Sequence, residues 1–359
     1  MAYTHKAEVF KIKELHPHPN ADKLEIVKIF DGECAVKIGD FHVGDLAVFV
    51  QPDSCLPDIP EYNWLKGKLR IRAQKLRGYI SAGLVLKAPE GAKEGDDVAE
   101  QLGITHYDPP EPGQYQSGPK KNRRFVPRSM APQASVKVYD VEPWFRYADC
   151  IPEGTPVVAE EKIHGCNTRV LCENGKIFVG SRQYWLGYRY VSKFKKLVNK
   201  YTHGLLFADN VNDSDWWETL DANPKILAVV ARHPGLVFFM EMYGAVQDLR
   251  YGAIGKQRWL AIFDIYNTKT GSFMTPATRN FLLELEGLFE YMVPVVRLFD
   301  YHKDQIKDMV SGKSFVATAP EGHIREGIVI KPFYNEIYDS RLGRVIVKAV
   351  SPEYLSRGK

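Results

Sequence analysis

Lys162 stands where the apolar run Val157-Val158-Ala159, followed by Glu160-Glu161, gives way to the glycine-containing turn Ile163-His164-Gly165-Cys166-Asn167. A lysine at the end of such a strand can point into a pocket, where its amine is a potential nucleophile. An unperturbed ammonium titrates near ~10.4 and attacks only where burial or neighbouring positive charge lowers that value. Cationic groups are therefore expected close by. Alone, the K-x-H-G pattern suits an ordinary surface lysine equally well. Further along, Ser181-Arg182 follows the run Lys176 to Gly180, and an arginine there can hold a phosphate bidentately. Glu241 lies inside the apolar run Phe238 to Gly244, where a buried carboxylate needs a ligand or a partner. Phe263, with Asp264 beside it, offers an aromatic face on which a base can stack. Arg325-Glu326-Gly327 to Lys331-Pro332 and Arg344 to Lys348 add a carboxylate and two lysines. Each feature singly reads more readily as a structural pair than as a site. Their order along the chain carries more than any one of them.

The elements that must hold these residues are legible from periodicity and punctuation. Up to about Gly103, short runs (Ala7 to Ile12, Leu24 to Phe30, Cys34 to Ile38, Leu46 to Val50, Ile80 to Lys87) alternate with Gly, Asp and Pro, which predicts a small β-barrel or sandwich. From Tyr107 to Ser135 clustered Pro and Gly mark a linker carrying Lys120, Lys121, Arg123, Arg124 and Arg128, either a solvated tether or a contact for phosphates. Beyond Val136, strands are expected at Pro156 to Glu161, Asn167 to Leu171, Ile177 to Gly180, Leu236 to Met242, Trp259 to Tyr266, Gly327 to Pro332 and Arg344 to Val350. Helices are expected at Val191 to Lys200, at Ser214 to Arg232 with a break at Pro224, and at Pro276 to Phe289, where Thr275 before a proline is a good start signal. The fold class is α+β: an amino-terminal β-barrel over residues 1–106, a linker over 107–135, and a domain of antiparallel sheets and helices over 136–359.

In that order the segments from Val136 onward resemble motifs I, Ia, III, IIIa, IV and V of the covalent nucleotidyltransferases, the superfamily of ATP-dependent ligases and RNA capping enzymes. Histidine at the third position of K-x-H-G, with Asn167 following, resembles RNA ligases. The resemblance implies that Lys162 attacks the α-phosphate of ATP to form lysyl-AMP. It places Glu161, Ile163, His164 and Asn167 around the nucleotide, Arg182 on ribose or phosphate, Glu241 on the ribose hydroxyls, and Phe263 with Asp264 at the adenine. It places Glu326 on Mg²⁺ or Mn²⁺ or its water, and Lys348 on the α-phosphate. Motif V departs from the family pattern, because Lys348 has Ile346 where a second lysine is usual; Arg344 or Lys331 substitutes, or one lysine suffices. His18-Pro19-Asn20-Ala21-Asp22-Lys23-Leu24 and the residues to Gly44-Asp45 resemble the tRNA-binding OB folds appended to some synthetases. An OB module ahead of the nucleotidyltransferase is similar to the type 5 RNA ligases, which implies an RNA or RNA-containing nicked duplex as substrate. RNA capping guanylyltransferase and a non-catalytic RNA-binding protein are the alternatives.

Composition sets the outer bounds. The chain has 359 residues, 45% of them hydrophobic and 26% charged, so a folded chain of about two domains is expected. No apolar run approaches the roughly 20 residues that span a bilayer, and no signal core opens the chain. The five cysteines are scattered and odd in number, which argues against a disulfide framework and for an intracellular, reducing compartment. His16, His18 and His164 lack zinc spacing. A formal charge of +4 permits a polyanionic partner without requiring one. No obligate protein partner is evident, and a monomer is expected.

Overall fold

A computed structural model describes residues 7–107, 131–134, 139–182, 184–191, 201 and 215–357. The helix expected at Val191 to Lys200 falls, beyond Val191, outside the described residues, as does most of the basic linker.

The amino-terminal strands follow the expected order. Ala7–Lys11, Leu46–Val50 and Leu84–Lys87 form one antiparallel sheet, and Leu15–Pro17, Leu24–Ile29 and Gly32–Lys37 form another. Their inward residues, among them Phe10, Val27, Ile29, Cys34 and Phe49, make one buried cluster. The single run expected at Ile80 to Lys87 is two strands, Tyr79–Ser81 and Leu84–Lys87.

The remainder is built on two antiparallel sheets. The first runs in the order Glu142–Pro143, Val347–Val350, Gly327–Pro332, Pro156–Lys162, Val295–Asp300, with only the first pairing parallel. The second runs Trp185–Tyr190, Lys176–Gly180, Cys166–Glu173, Leu236–Gly244, Arg258–Asn267, Ser272–Phe273. Its outer face is covered by Asp215–Asp221 and Pro224–Arg232, two helices separated at the expected proline, which opens the second one. Trp217, Leu220, Ile226 and Val230 pack there on Val170, Phe238 and Ile262. Helix Pro276–Leu285 begins as expected, with the Thr275 hydroxyl accepting from the Thr278 N–H. The strand Arg344 to Val350 is interrupted: Gly343–Arg344 pairs with Tyr338–Asp339, and Val347–Val350 joins the large sheet. Val295–Asp300 was not expected as a strand, because at an edge it exposes most of its side chains and lacks the alternation that marks a half-buried strand.

The two halves interlock through Phe145. Its ring packs edge-on against Phe49 in the amino-terminal core, with centroids 5.9 Å apart, and its carbonyl accepts from the Asp31 N–H at 2.9 Å. Gly32 is required beside it, since a Cβ there would lie 2.9 Å from the Phe145 ring. Arg146 pairs with Glu8, and Lys303 with Asp31 at 3.2 Å. At the other end, the backbone N–H groups of Gln133 and Ala134 donate to Glu173, so residues 131–134 pack on the second sheet. No helix of the described residues is long and apolar enough to cross a membrane.

Candidate active site

Strand alternation decides which acids share a pocket with the nucleophile. On Pro156–Lys162, Val157 and Ala159 face the apolar core, whereas Glu160 and Lys162 face the gap between the two sheets. That gap is a pocket of about 220 Å³. Eight of the residues expected at a nucleotide line it: Glu161, Lys162, Ile163, Asn167, Arg182, Glu241, Phe263 and Lys348. Two of its polar atoms are buried without a hydrogen-bond partner, Asn167 Oδ1 and Arg182 Nε, an acceptor and a donor left for a ligand. Arg182 is otherwise held by Asp140 at 2.8 Å. The aromatic wall is Phe263, against which Tyr139 tilts at 4.8 Å between centroids.

Lys162 Nζ donates to Glu326 Oε1 at 2.7 Å across the sheet, where Lys162 pairs in register with Gly327. The expected cationic surroundings are not what the amine meets. Burial pulls its pKa down, but Glu326 and then Glu241 and Asp53 more than reverse this, so the ammonium is held above its ordinary value. Burial likewise pushes the Glu326 carboxyl up, and Lys162 and His164 bring it below the usual range. Glu241 has no such close partner. Burial drives it up to about 8, only partly opposed by Lys162 and by the Gly165 N–H, with Glu326 adding repulsion.

Gly165 explains the glycine of the motif. A Cβ there would fall 2.2 Å from the Met242 carbonyl, so only glycine lets the turn after Lys162 lie against the Glu241 strand. The same turn carries His164 away from the nucleoside pocket. His164 and Glu326 instead line a second, larger cleft of about 1370 Å³ between the two halves, together with Asp53, Lys68, Arg70 and Arg72 of the amino-terminal barrel. Lys162 and Lys348 line both cavities, as do Asp140 and Val141.

Asp264 is a correction. Its carboxylate does not line the pocket; it accepts from Tyr139 Oη at 2.8 Å and Arg344 Nη1 at 2.6 Å and is buried. It belongs to a buried network beneath the pocket in which Glu160, Asp264 and Glu336 face Arg279, Lys331 and Arg344. Glu161 is similar in kind: it borders the pocket, but its carboxylate accepts from Ser314 Oγ and the Phe315 N–H, each at 2.6 Å. The motif V question resolves the same way. Arg344 is committed to Asp264 and Glu336, and Lys331 to Glu160 at 2.8 Å and the Phe263 carbonyl at 2.6 Å. The side chain of Lys348, on Val347–Val350 opposite Val329, has neither an ion pair nor a hydrogen bond among the described residues.

Sequence reasoning missed Glu160 and Tyr139 as pocket residues. The first had a usable signal, since it stands two positions before Lys162 on the same strand face. Tyr139 had none.

A family model described as RNA ligase matches residues 155–350, more than half of the chain. The chain belongs to the RNA ligase family. A model of an OB-fold domain matches residues 6–88, over the amino-terminal strands. No curated protein sequence matches this ligase-family chain. Among solved structures it is similar to Naegleria gruberi RNA ligase. A substituted form without ligand has a TM-score of 0.74 and 22% identity, covering 99% of this chain and 98% of that one. The form with PPi has a TM-score of 0.72 and 22% identity, covering 99% and 98%. A lysine-to-alanine form with ATP and Mn has a TM-score of 0.71 and 21% identity, covering 98% and 97%. At this identity these likenesses speak to the fold: an OB domain followed by the two-sheet domain.

Proposed function

We propose that this RNA ligase family member uses ATP to join a 3′-hydroxyl to a 5′-phosphate end of RNA, through a lysyl-AMP on Lys162 and an adenylylated 5′ end. The observation that carries the proposal is the position of Lys162, whose amine borders both a nucleoside-sized pocket and the cleft against the OB domain. ATP and divalent metal in the similar Naegleria gruberi structures support the choice of nucleotide. We divide the chain into an OB domain (1–106), a basic linker (107–135) and an adenylyltransferase domain (136–359), acting as a monomer in a reducing intracellular compartment.

In the first step Lys162 Nζ, once deprotonated, bonds to the α-phosphorus while the bond to pyrophosphate breaks. Phe263 stacks on the base, Glu241 and Asn167 hold the ribose, and Arg182 approaches ribose or phosphate. Lys348, the pocket cation with no partner among the described residues, stabilises charge developing on the α-phosphate. The AMP then passes to the RNA 5′-phosphate, and the 3′-hydroxyl displaces it; for these steps the chain contributes mainly positioning. Lys68 and Arg72 line the cleft as cations for the polynucleotide phosphates, whereas Arg70 is held by Asp53 at 2.6 Å.

Glu326 fits a divalent cation: its Oε2 is buried without a hydrogen-bond partner, 3.3 Å from His164 Nδ1. No group of three protein ligands surrounds it among the described residues, which suits Mg²⁺ or Mn²⁺ held by one carboxylate together with phosphates and water. Held there, such an ion would supply charge neutralisation for the triphosphate, and Glu326 engaged with it would hold Lys162 less tightly. Incubation with α-labelled ATP and divalent metal should label the wild-type chain and not Lys162→Ala. Labelling of the variant to the same extent, or labelling by GTP in preference to ATP, overturns the reading.

A further inference from the structure

His164 is gripped from the far side by a helix that neither cavity's motifs include. Its imidazole Nε2 lies 2.8 Å from Asp248 Oδ1, and Nδ1 lies 3.1 Å from the hydroxyl of Tyr354, on the helix Pro352–Ser356 that follows the Lys348 strand. The two rings meet edge to face, with centroids 5.3 Å apart. Arg357, just past the helix, closes the loop: its Nε and Nη2 donate to Asp248 Oδ2 at 3.2 and 2.6 Å, and its guanidinium lies 3.5 Å from the Tyr354 ring centroid. From the main chain, the His164 N–H donates to Tyr251 Oη at 2.8 Å. The imidazole thus has a fixed ring plane, with Nδ1 also facing Glu326 Oε2 and Glu326 in turn holding Lys162. Tyr354 and Arg357 line the cleft and not the nucleoside pocket.

We propose that Tyr354 and Arg357 are positioning residues for the sealing reaction, acting through His164 and Asp248 to hold the Glu326 side of the active site in register. The proposal rests on the functional reading above. A side chain held within roughly 0.5 Å by such supporting contacts loses catalytic alignment when they are removed, at a cost of the order of tenfold or more. Since neither residue borders the nucleoside pocket, the loss should appear in kcat with the KM for ATP nearly unchanged. The helix itself stays anchored by Ser351, whose hydroxyl accepts from the Tyr354 N–H and is buried, so Tyr354→Phe is expected to fold.

The test is a pair of double-mutant cycles on nick sealing, His164→Ala with Tyr354→Phe and His164→Ala with Arg357→Ala, with melting temperature followed in parallel. Each of the two substitutions should lower kcat about tenfold in the wild-type background and less than about twofold once His164 is gone. Arg357→Lys, which keeps a cation for Asp248, should recover most of the loss. Multiplicative effects in the cycles, a KM for ATP that rises in step with the loss of kcat, or wild-type activity in both single variants overturns the inference alone. A wild-type chain that neither forms the lysyl adduct nor seals overturns the functional reading and the inference with it.

Discussion

Lys331 and Lys348 stand close in the same pocket, yet the structure gives them opposite employment, and substituting each by methionine separates the two. Lys331 is 2% exposed, with Glu160 at 2.8 Å and Asp264 at 3.7 Å. It completes a balance of three carboxylates and three cations (Glu160, Asp264, Glu336; Arg279, Lys331, Arg344), so its removal leaves a net buried negative charge. Breaking a buried pair from one side costs roughly 3–5 kcal/mol. For a domain of this size that is about 2–4 °C per kcal/mol, so Lys331→Met should melt roughly 6–20 °C below wild type. Lys348, half-buried and without an ion pair among the described residues, should change stability by no more than about 0.5 kcal/mol when replaced. In catalysis the order reverses. Folded Lys348→Met should form the lysyl adduct about 10²–10³-fold more slowly, the usual effect of removing one stabiliser of transition-state charge. Calorimetry and single-turnover labelling of both variants make the comparison. If Lys331→Met melts within about 2 °C of wild type, the argument from a balanced buried network is wrong; if Lys348→Met labels at the wild-type rate, so is its assignment to the phosphate.

Three further outcomes follow from the geometry. Gly165→Ala should shift the turn after Lys162, because the added methyl meets the Met242 carbonyl at 2.2 Å, costing about 1–3 kcal/mol of stability and about 10²-fold in adduct formation; wild-type rates from the variant would contradict it. Lys162→Arg should keep the fold and give no adduct by intact-mass spectrometry, since a guanidinium stays protonated. The third concerns pH. Burial raises the Glu160 and Asp264 carboxyls, but Arg279 and Lys331, and Arg344 and Lys331, bring them below their usual values. Their contribution is therefore present above about pH 4–4.5 and disappears as the medium becomes more acid. Glu241 works in the opposite direction: raised to about 8, it binds a proton in the native state that the unfolded chain has released, so stability declines from about pH 4.5 up to 8. Melting temperatures across that range should fall in wild type and flatten in Glu241→Gln.

The motif strands were legible because their apolar runs are long and end in turn residues, and the eight pocket residues came with them. What sequence could not supply was partnership across distance. Asp264 sits beside Phe263 in the chain, and nothing local says that its carboxylate turns to Arg344 and Tyr139 rather than to a base. Arg279, on an otherwise ordinary helix, reaches Glu160 from far along the chain. The motif resemblance places His164 at the nucleotide, whereas the tight passage at Gly165 sends it to the other cavity. Tyr354, in a short helix with no pattern of its own, and Arg357 just past it fall after the last recognisable motif. Lys162 is expected to be activated by cations, but the amine faces the carboxylates of Glu326 and Glu241, which keep it charged.

The placement of Lys162 on the partition between two chambers has a bearing on traffic. A nucleoside lodged between the sheets and a strand end lying against the barrel would approach the amine from different mouths, so neither has to vacate the other's doorway. A charged form of the enzyme could then wait, loaded, for a break to arrive. On that arrangement excess ATP would slow sealing only by recharging the emptied lysine before the activated end is joined, and not by crowding the strand out.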